Sequence, residues 1–304
     1  GLNLVRNFNK IGVLKTISDV DIKRKKKVLE ISNKLNFTSN YKEVLSDKSI
    51  VAVAISTPAK THYKLVAEAL QSNKHVFVEK PLCLNLSDGK KIIKLATKMK
   101  KKVMVGHLML YHSAYIKMKE KIEKGLIGNI RYIYSNRLSL GKLRKEEDVL
   151  WSFAPHDISM ITDLIKEKLI SVEAFGGGYL SKKVKDTTVT LLKFKKNIKA
   201  HIFVSWLHPY KDQRLVVIGE KGIIGFADVL KNEYKLMFYK HNVRWEGKLS
   251  TIEKAKGKKI LFDFKKEPLY TECKAFIDWI KLGKKPLSHV QEGIKVLEVL
   301  DIAK

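Results

Sequence analysis

Between residues 13 and 106 the chain alternates short apolar runs with amphipathic stretches, and this spacing constrains the fold more than any other feature. Segments 13–18, 50–55, 75–78 and 102–105 read as buried parallel strands, because strands covered on both faces carry continuous apolar runs. Segments 21–35, 59–71 and 87–99 carry helical periodicity between them, which is the rhythm of βαβ units. Residues 1–8 read as the front of a further helix. After His112 the rhythm changes. A helix at 114–124 leads to a long strand at 129–140, continuing through Lys142 and Arg144, and then to a helix at 156–165. Strands at 171–175, 187–194, 198–206, 213–219 and 222–226 follow, with Lys196-Asn197 and Glu220-Lys221-Gly222 as hairpin turns. Helices at 267–282 and from 291 onward close the chain. The predicted class is α/β: a Rossmann-type parallel-sheet domain over residues 1–111, then an α+β domain over 112–304 with a large, mostly antiparallel sheet.

Composition removes several alternatives. A chain of 304 residues suits two domains, and 45% hydrophobic with 9% aromatic residues is globular rather than disordered. No apolar run approaches the ~20 residues that span a bilayer. The first residues lack the charged-then-apolar pattern of a signal peptide. Cys83 and Cys273 form neither a disulfide framework nor a zinc spacing, so a reducing cytoplasm is the expected compartment. The formal charge of +29 raises nucleic acid as a partner. However, the 60 basic residues comprise seven arginines and 53 lysines, and dedicated phosphate and base readers mix in arginine for its planar fork. The lysines spread over solvent-facing helix positions along the whole chain. The expectation is a biased solvated surface that can steer an anionic substrate, with no nucleic-acid and no membrane partner.

In a dinucleotide-binding fold, a helix such as 1–8 follows a first strand and a glycine-rich turn. Neither is present in this sequence, so a gap is expected where the central first strand belongs, together with weak NAD binding by the chain as it stands. Gly1 fits the third glycine of the fingerprint, and Asp19, 18 residues on, fits the acid that binds the ribose 2′-hydroxyl. An Asp with no Arg directly after it favours NAD over NADP, and Arg24 tempers that preference.

Glu79-Lys80-Pro81 follows a buried strand. A lysine at the carboxyl end of a parallel strand enters the crevice where ligands of open α/β sheets bind, and the proline stiffens the turn through a trans or a cis bond. With Asp19, Thr57-Pro58, His62 and His156-Asp157, this motif resembles the family of glucose–fructose oxidoreductase, inositol dehydrogenase and MocA, and the likeness runs the length of the chain. Segments 1–8, 106–112 and 151–159 resemble members that oxidise C-3 of UDP-N-acetylglucosamine or its uronic acid. The resemblance implies that Lys80 and His156 line the substrate beside the nicotinamide, and that Thr57, Pro58, His62 and Glu79 lie along the cofactor. It also implies a homo-oligomer formed on the open sheet of the second domain. Two departures stand out: the glycine-rich turn is absent, and Ser152 stands where many members carry an Asp four residues before the histidine.

The implied chemistry is hydride transfer from a sugar carbinol carbon to NAD. His156 is the expected general base, with Lys80 stabilising negative charge on the reacting oxygen; the two roles can be exchanged. Arg137 and Tyr111 are candidate substrate contacts. His62, His107, His112, His201 and His208 show no metal-binding spacing, so no metal is expected. Gly176-Gly177-Gly178 has no helix after it and reads as a bend between strands rather than a phosphate loop.

Overall fold

The computed structural model describes residues 1–140, 147–180, 183–246, 249–254 and 256–304, with the side chains of 242–254 left aside. Lys142 and Arg144 lie outside the described residues. The chain divides into two compact units, Gly1–Tyr111 with Glu267–Glu298, and His112–Lys266 with Val299–Lys304. The sequence reading placed everything after Tyr111 in the second domain. Residues 267–298 pack into the first unit instead.

In the first unit α1 (Leu2–Ile11) leads into β1 (Thr16–Ser18), which pairs in parallel with β2 (Asn36–Thr38) beyond α2 (Arg24–Leu29). After α3 (Tyr41–Ser46), β3 (Ala52–Ile55), β4 (His75–Glu79) and β5 (Val103–Gly106) form a second parallel sheet in that order. The helices α4 (His62–Gln71) and α5 (Leu86–Lys98) connect them and pack on one another. The parallel strands therefore fall into two sheets, and β1 is not paired to β3. Val76, Phe77 and Val78 are fully buried, as a parallel strand covered on both faces requires. The Phe77 face is covered by α1 and by α8 (Pro268–Leu282): Phe8 lies 5.9 Å from Phe77 between ring centroids, and Phe276 lies 5.8 Å from it. These edge-to-face contacts explain why α8 joins this unit. Its apolar stripe completes a three-ring cluster on β4.

The second unit is built on a nine-stranded sheet ordered β13-β12-β11-β10-β6-β9-β8-β7, with β14 beside β12. In chain order these strands are β6 (Ile130–Leu138), β7 (Leu169–Gly177), β8 (Thr187–Phe194), β9 (Lys199–Ser205), β10 (Asp212–Gly219), β11 (Gly222–Ala227), β12 (Leu236–Glu246), β13 (Leu249–Lys254) and β14 (Lys258–Lys259). Every pairing is antiparallel except β6 with β9. The helix α6 (Ser113–Glu123) packs on β11, and α7 (Val149–Leu164) covers β6, β8 and β9. Asp148 caps α7 by accepting from the Trp151 N–H at 3.0 Å. The sequence reading started this helix only at His156, after Pro155. Proline in a helix interior costs a hydrogen bond, yet α7 runs through it, because nearly its whole length, Leu150, Ala154, Ile158 and Ile161 included, is buried. The last helix, α9 (Val290–Ile302), is divided between the units at Glu298. No helix among the described residues is long and apolar enough to cross a membrane.

Candidate active site

Polar residues of the first unit follow the carboxyl ends of β1, β3 and β4. Gly1 is the N-cap of α1, whose first N–H groups have no partner within the helix. A Cβ on Gly1 would stand 3.2 Å from Oγ of Ser56, just past β3. Asp19 follows β1. One of its carboxylate oxygens accepts from the Asp21 N–H at 3.0 Å, and the other lies 3.4 Å from Nε of Arg24. A helix N-terminus near the carboxyl end of a parallel strand suits a pyrophosphate, and an acid just past another parallel strand suits a ribose. The residues present therefore fit an NAD dinucleotide, with Arg24 beside the ribose acid.

Two loops are tied behind this edge by His62, which is buried at the start of α4. Its Nδ1 lies 2.7 Å from the Pro81 carbonyl and its Nε2 lies 2.9 Å from the Thr57 carbonyl. His62, expected to lie along the cofactor, joins the loops after β3 and β4. Thr57 Oγ1 pairs with Thr61 Oγ1 at 2.6 Å, and Thr61 Oγ1 donates to the Pro58 carbonyl at 2.8 Å. Thr57 and Pro58 themselves are exposed.

Glu79 ends β4, half-buried. Its carboxylate presses on Gly106 of β5, where an added Cβ would meet Oε2 at 2.9 Å and the Glu79 Cα at 3.3 Å. Burial raises its pKa above the ordinary carboxylate value, opposed by the Lys80 backbone N–H and the Lys80 charge. The Lys80–Pro81 bond is cis. Next to Lys80, His107 is fully buried and neither ring nitrogen has a hydrogen-bond partner among the described residues. Burial and the Lys80 charge lower its pKa to about 3, so its ring is neutral. The sequence reading noted only that His107 has no metal-binding spacing and had no signal for this neighbour of Lys80.

Tyr111 is turned inward. Its hydroxyl pairs with Oγ of Ser288 at 3.1 Å and accepts from the Ser288 N–H at 3.2 Å, while burial pushes its pKa well up. Tyr111, expected to contact substrate, makes a link inside the first unit.

In the second unit His156 sits half-buried on α7, one turn beyond buried Ser152. Asp157, the next residue, points about 100° away around the helix and meets the sheet. There Arg137 Nε donates to its Oδ2 at 2.6 Å and NH2 to its Oδ1 at 3.2 Å, with the Ser135 hydroxyl donating as well. Asp157 is 1% and Arg137 6% exposed. Arg137, expected to contact substrate, is paired with Asp157; strand alternation told its face but not this partner. Gly176 and Gly177 end β7, and a Cβ on Gly176 would stand 2.3 Å from the Thr187 carbonyl, so close strand approach accounts for that glycine. The described residues contain no cluster able to hold a metal ion.

A dinucleotide-type parallel sheet with Glu-Lys-Pro at a strand end, followed by a large sheet backed by one histidine-bearing helix, defines an NAD-binding oxidoreductase. Residues 3–107 match the sequence profile described as the oxidoreductase family with an NAD-binding Rossmann fold, and residues 115–225 match the GFO/IDH/MocA C-terminal domain. The chain belongs to the GFO/IDH/MocA oxidoreductase family. It is 29% identical to myo-inositol 2-dehydrogenase of Thermotoga maritima over 92% of this chain and 84% of that protein. The structure of the UDP-N-acetylglucosamine 3-dehydrogenase GnnA from Acidithiobacillus ferrooxidans superposes with a TM-score of 0.81 at 20% identity, covering 99% of this chain and 92% of that one. KijD10, a 3-ketoreductase from Actinomadura kijaniata in complex with TDP-benzene and NADP, gives a TM-score of 0.78 at 18% identity, over 95% of this chain and 87% of that one.

Proposed function

We propose that the protein oxidises a ring hydroxyl, at C-3, of a UDP-N-acetylhexosamine or its uronic acid to the ketone, with NAD as the hydride acceptor. The observation that carries this reading is the Lys80 side chain at the carboxyl end of β4, beside the neutral, fully buried His107. A cation held in poorly hydrated surroundings stabilises developing negative charge far better than one in water. Segments 106–112 and 151–159 add the likeness to members acting on nucleotide sugars.

Bound NAD supplies the hydride acceptor. Lys80 donates to the reacting oxygen and stabilises the alkoxide as the C–H bond breaks. His156 accepts the hydroxyl proton and passes it to solvent, the general-base role that a positioned imidazole can fill. The Ser135–Arg137–Asp157 cluster holds α7, and thereby His156, against its sheet. The net reaction converts one CH–OH and NAD⁺ into a C=O, NADH and a proton. The exposed apolar residues Ile170, Phe175 and Leu191 on β7 and β8 support self-association of the second unit.

A second reading, oxidation of a free inositol, is favoured by the identity to the Thermotoga protein. NADH formation over a panel of UDP-N-acetylhexosamines, their uronic acids and free inositols separates the two. Turnover confined to the nucleotide sugars is expected, and turnover confined to inositols overturns the first reading.

A further inference from the structure

Behind Glu79 the first unit buries a second carboxyl group that the proposed chemistry does not use. Glu272 on α8 is 1% exposed, and its Oε1 has no hydrogen-bond partner among the described residues. Its place follows from the packing of helix on strand. Phe276 meets Phe77 with ring centroids 5.8 Å apart. One helical turn back from Phe276 is Glu272, about 6 Å along the axis. Two residues on from Phe77, on the same face of β4, is Glu79, about 6.6 Å along the strand. The two carboxyl groups thus form the rung next to the two phenyl rings. Glu79 is felt at Glu272, and both are felt at Cys273.

Two carboxylates in one poorly hydrated site do not both ionise. Glu79 has the Lys80 N–H and the Lys80 charge to stabilise its anion. Glu272 has only burial and the charge of Glu79, both of which raise its pKa. The proton therefore belongs to Glu272 and the charge to Glu79.

We propose that Glu272 is a positioning residue: a buried neutral carboxylic acid that holds the Glu79–Glu272 pair at a single negative charge and so sets the alkaline limit of NAD binding. This rests on the reading that the edge bearing Gly1, Glu79 and Lys80 receives the dinucleotide. Loss of the last proton places a second charge, without a cation partner, behind the N-terminus of α1, where an anionic pyrophosphate would lie. By linkage, the dinucleotide and the Glu272 proton then favour one another's binding. The other titratable groups facing the pair are Lys80 and His62 toward Glu79, Tyr111 and Cys273 toward Glu272, and the Gly1 amine of α1. Burial pushes Tyr111 and Cys273 up as well.

Two measurements on the full chain test this. Infrared spectra of the protein without nucleotide, at neutral pH, are expected to show the carbonyl stretch of a protonated buried carboxyl group. Glu272→Gln should abolish that band, and Glu79→Gln should shift it. No band in the parent, or the same band in Glu272→Gln, overturns the proposal. Calorimetric titration with NAD is expected to give an affinity that falls about tenfold from neutral to alkaline pH in the parent, and that falls clearly less in Glu272→Gln. Equal slopes in the two proteins overturn the positioning role even if the band behaves as expected. A parent that binds no NAD at any pH also overturns that role, and with it the dinucleotide reading, while the band reports the Glu272 proton by itself. Glu272→Asp, which keeps an ionisable group, should retain an alkaline fall and so separates a proton effect from damaged packing.

Discussion

Breaking the Arg137–Asp157 pair is the perturbation whose consequence can be worked furthest from the structure. Asp157→Ala removes the carboxylate and leaves the guanidinium in a site where the two side chains are 1% and 8% exposed. With so little solvent to screen it, the loss falls in the class of a broken buried ion pair, about 3–5 kcal/mol. At roughly 2–4 °C per kcal/mol for a domain of this size, the second unit should melt about 6–20 °C lower. Trp151, Trp206 and Trp245 belong to that unit and Trp279 to the first, so tryptophan fluorescence in a Trp279→Phe background during urea or thermal unfolding follows the second unit. The double replacement Arg137→Met with Asp157→Leu should recover most of the loss, since an apolar pair of similar volume needs no desolvated charge. A loss below about 1 kcal/mol for Asp157→Ala, the scale of an exposed pair, would refute the reasoning. So would a double variant no more stable than the single one.

Two further outcomes follow from the first unit. His107 and His75 have pKa values lowered from 6.5 to about 3 and about 4, chiefly by burial and then by nearby lysines. Between those values and 6.5 the unfolded chain binds protons that the folded chain does not, so stability is full above 6.5 and drains as pH falls toward 3. Urea unfolding across that range should show the slope, and His107→Phe should flatten it; an unchanged slope contradicts the buried neutral ring. Gly106→Ala puts a methyl 2.9 Å from the Glu79 carboxylate and should lower turnover by up to about a hundredfold with an unaltered far-UV spectrum. A parental rate in that variant contradicts the placement of Glu79.

Much of the architecture is legible in the sequence because its cause is local. Strand β8 is read at 187–194 and found at Thr187–Phe194, since alternation on a half-buried sheet is a property of the strand itself. The apolar run ending at Ile55 and the helix over α5 are read from their local patterns too, although within β3 only Ile55 is buried. What is lost is set by tertiary partners. The stripe on α8 reads as an apolar face, but only Phe77 and Phe8 decide which unit it covers. β12 is hidden because lysine, histidine and arginine interrupt its pattern. β2 and α3 are too short to show a period. At the site, Glu79-Lys80-Pro81 is visible as a motif at a strand end, and His156 is visible within the segment 151–159. Arg137 and Asp157, 20 residues apart on a strand and a helix, and Glu272 with Glu79 across the sheet face, carry no spacing signal at all.

The central claim is that Lys80 and His156 manage charge and proton on the oxygen that becomes the ketone. Initial rates of NADH formation with the best nucleotide sugar, measured for the parent, Lys80→Ala and His156→Ala alongside NAD affinity for each, test it most directly. A fall in kcat of about a hundredfold or more in both variants, with NAD affinity close to the parent's, is the predicted result. Parental turnover in either variant contradicts the account.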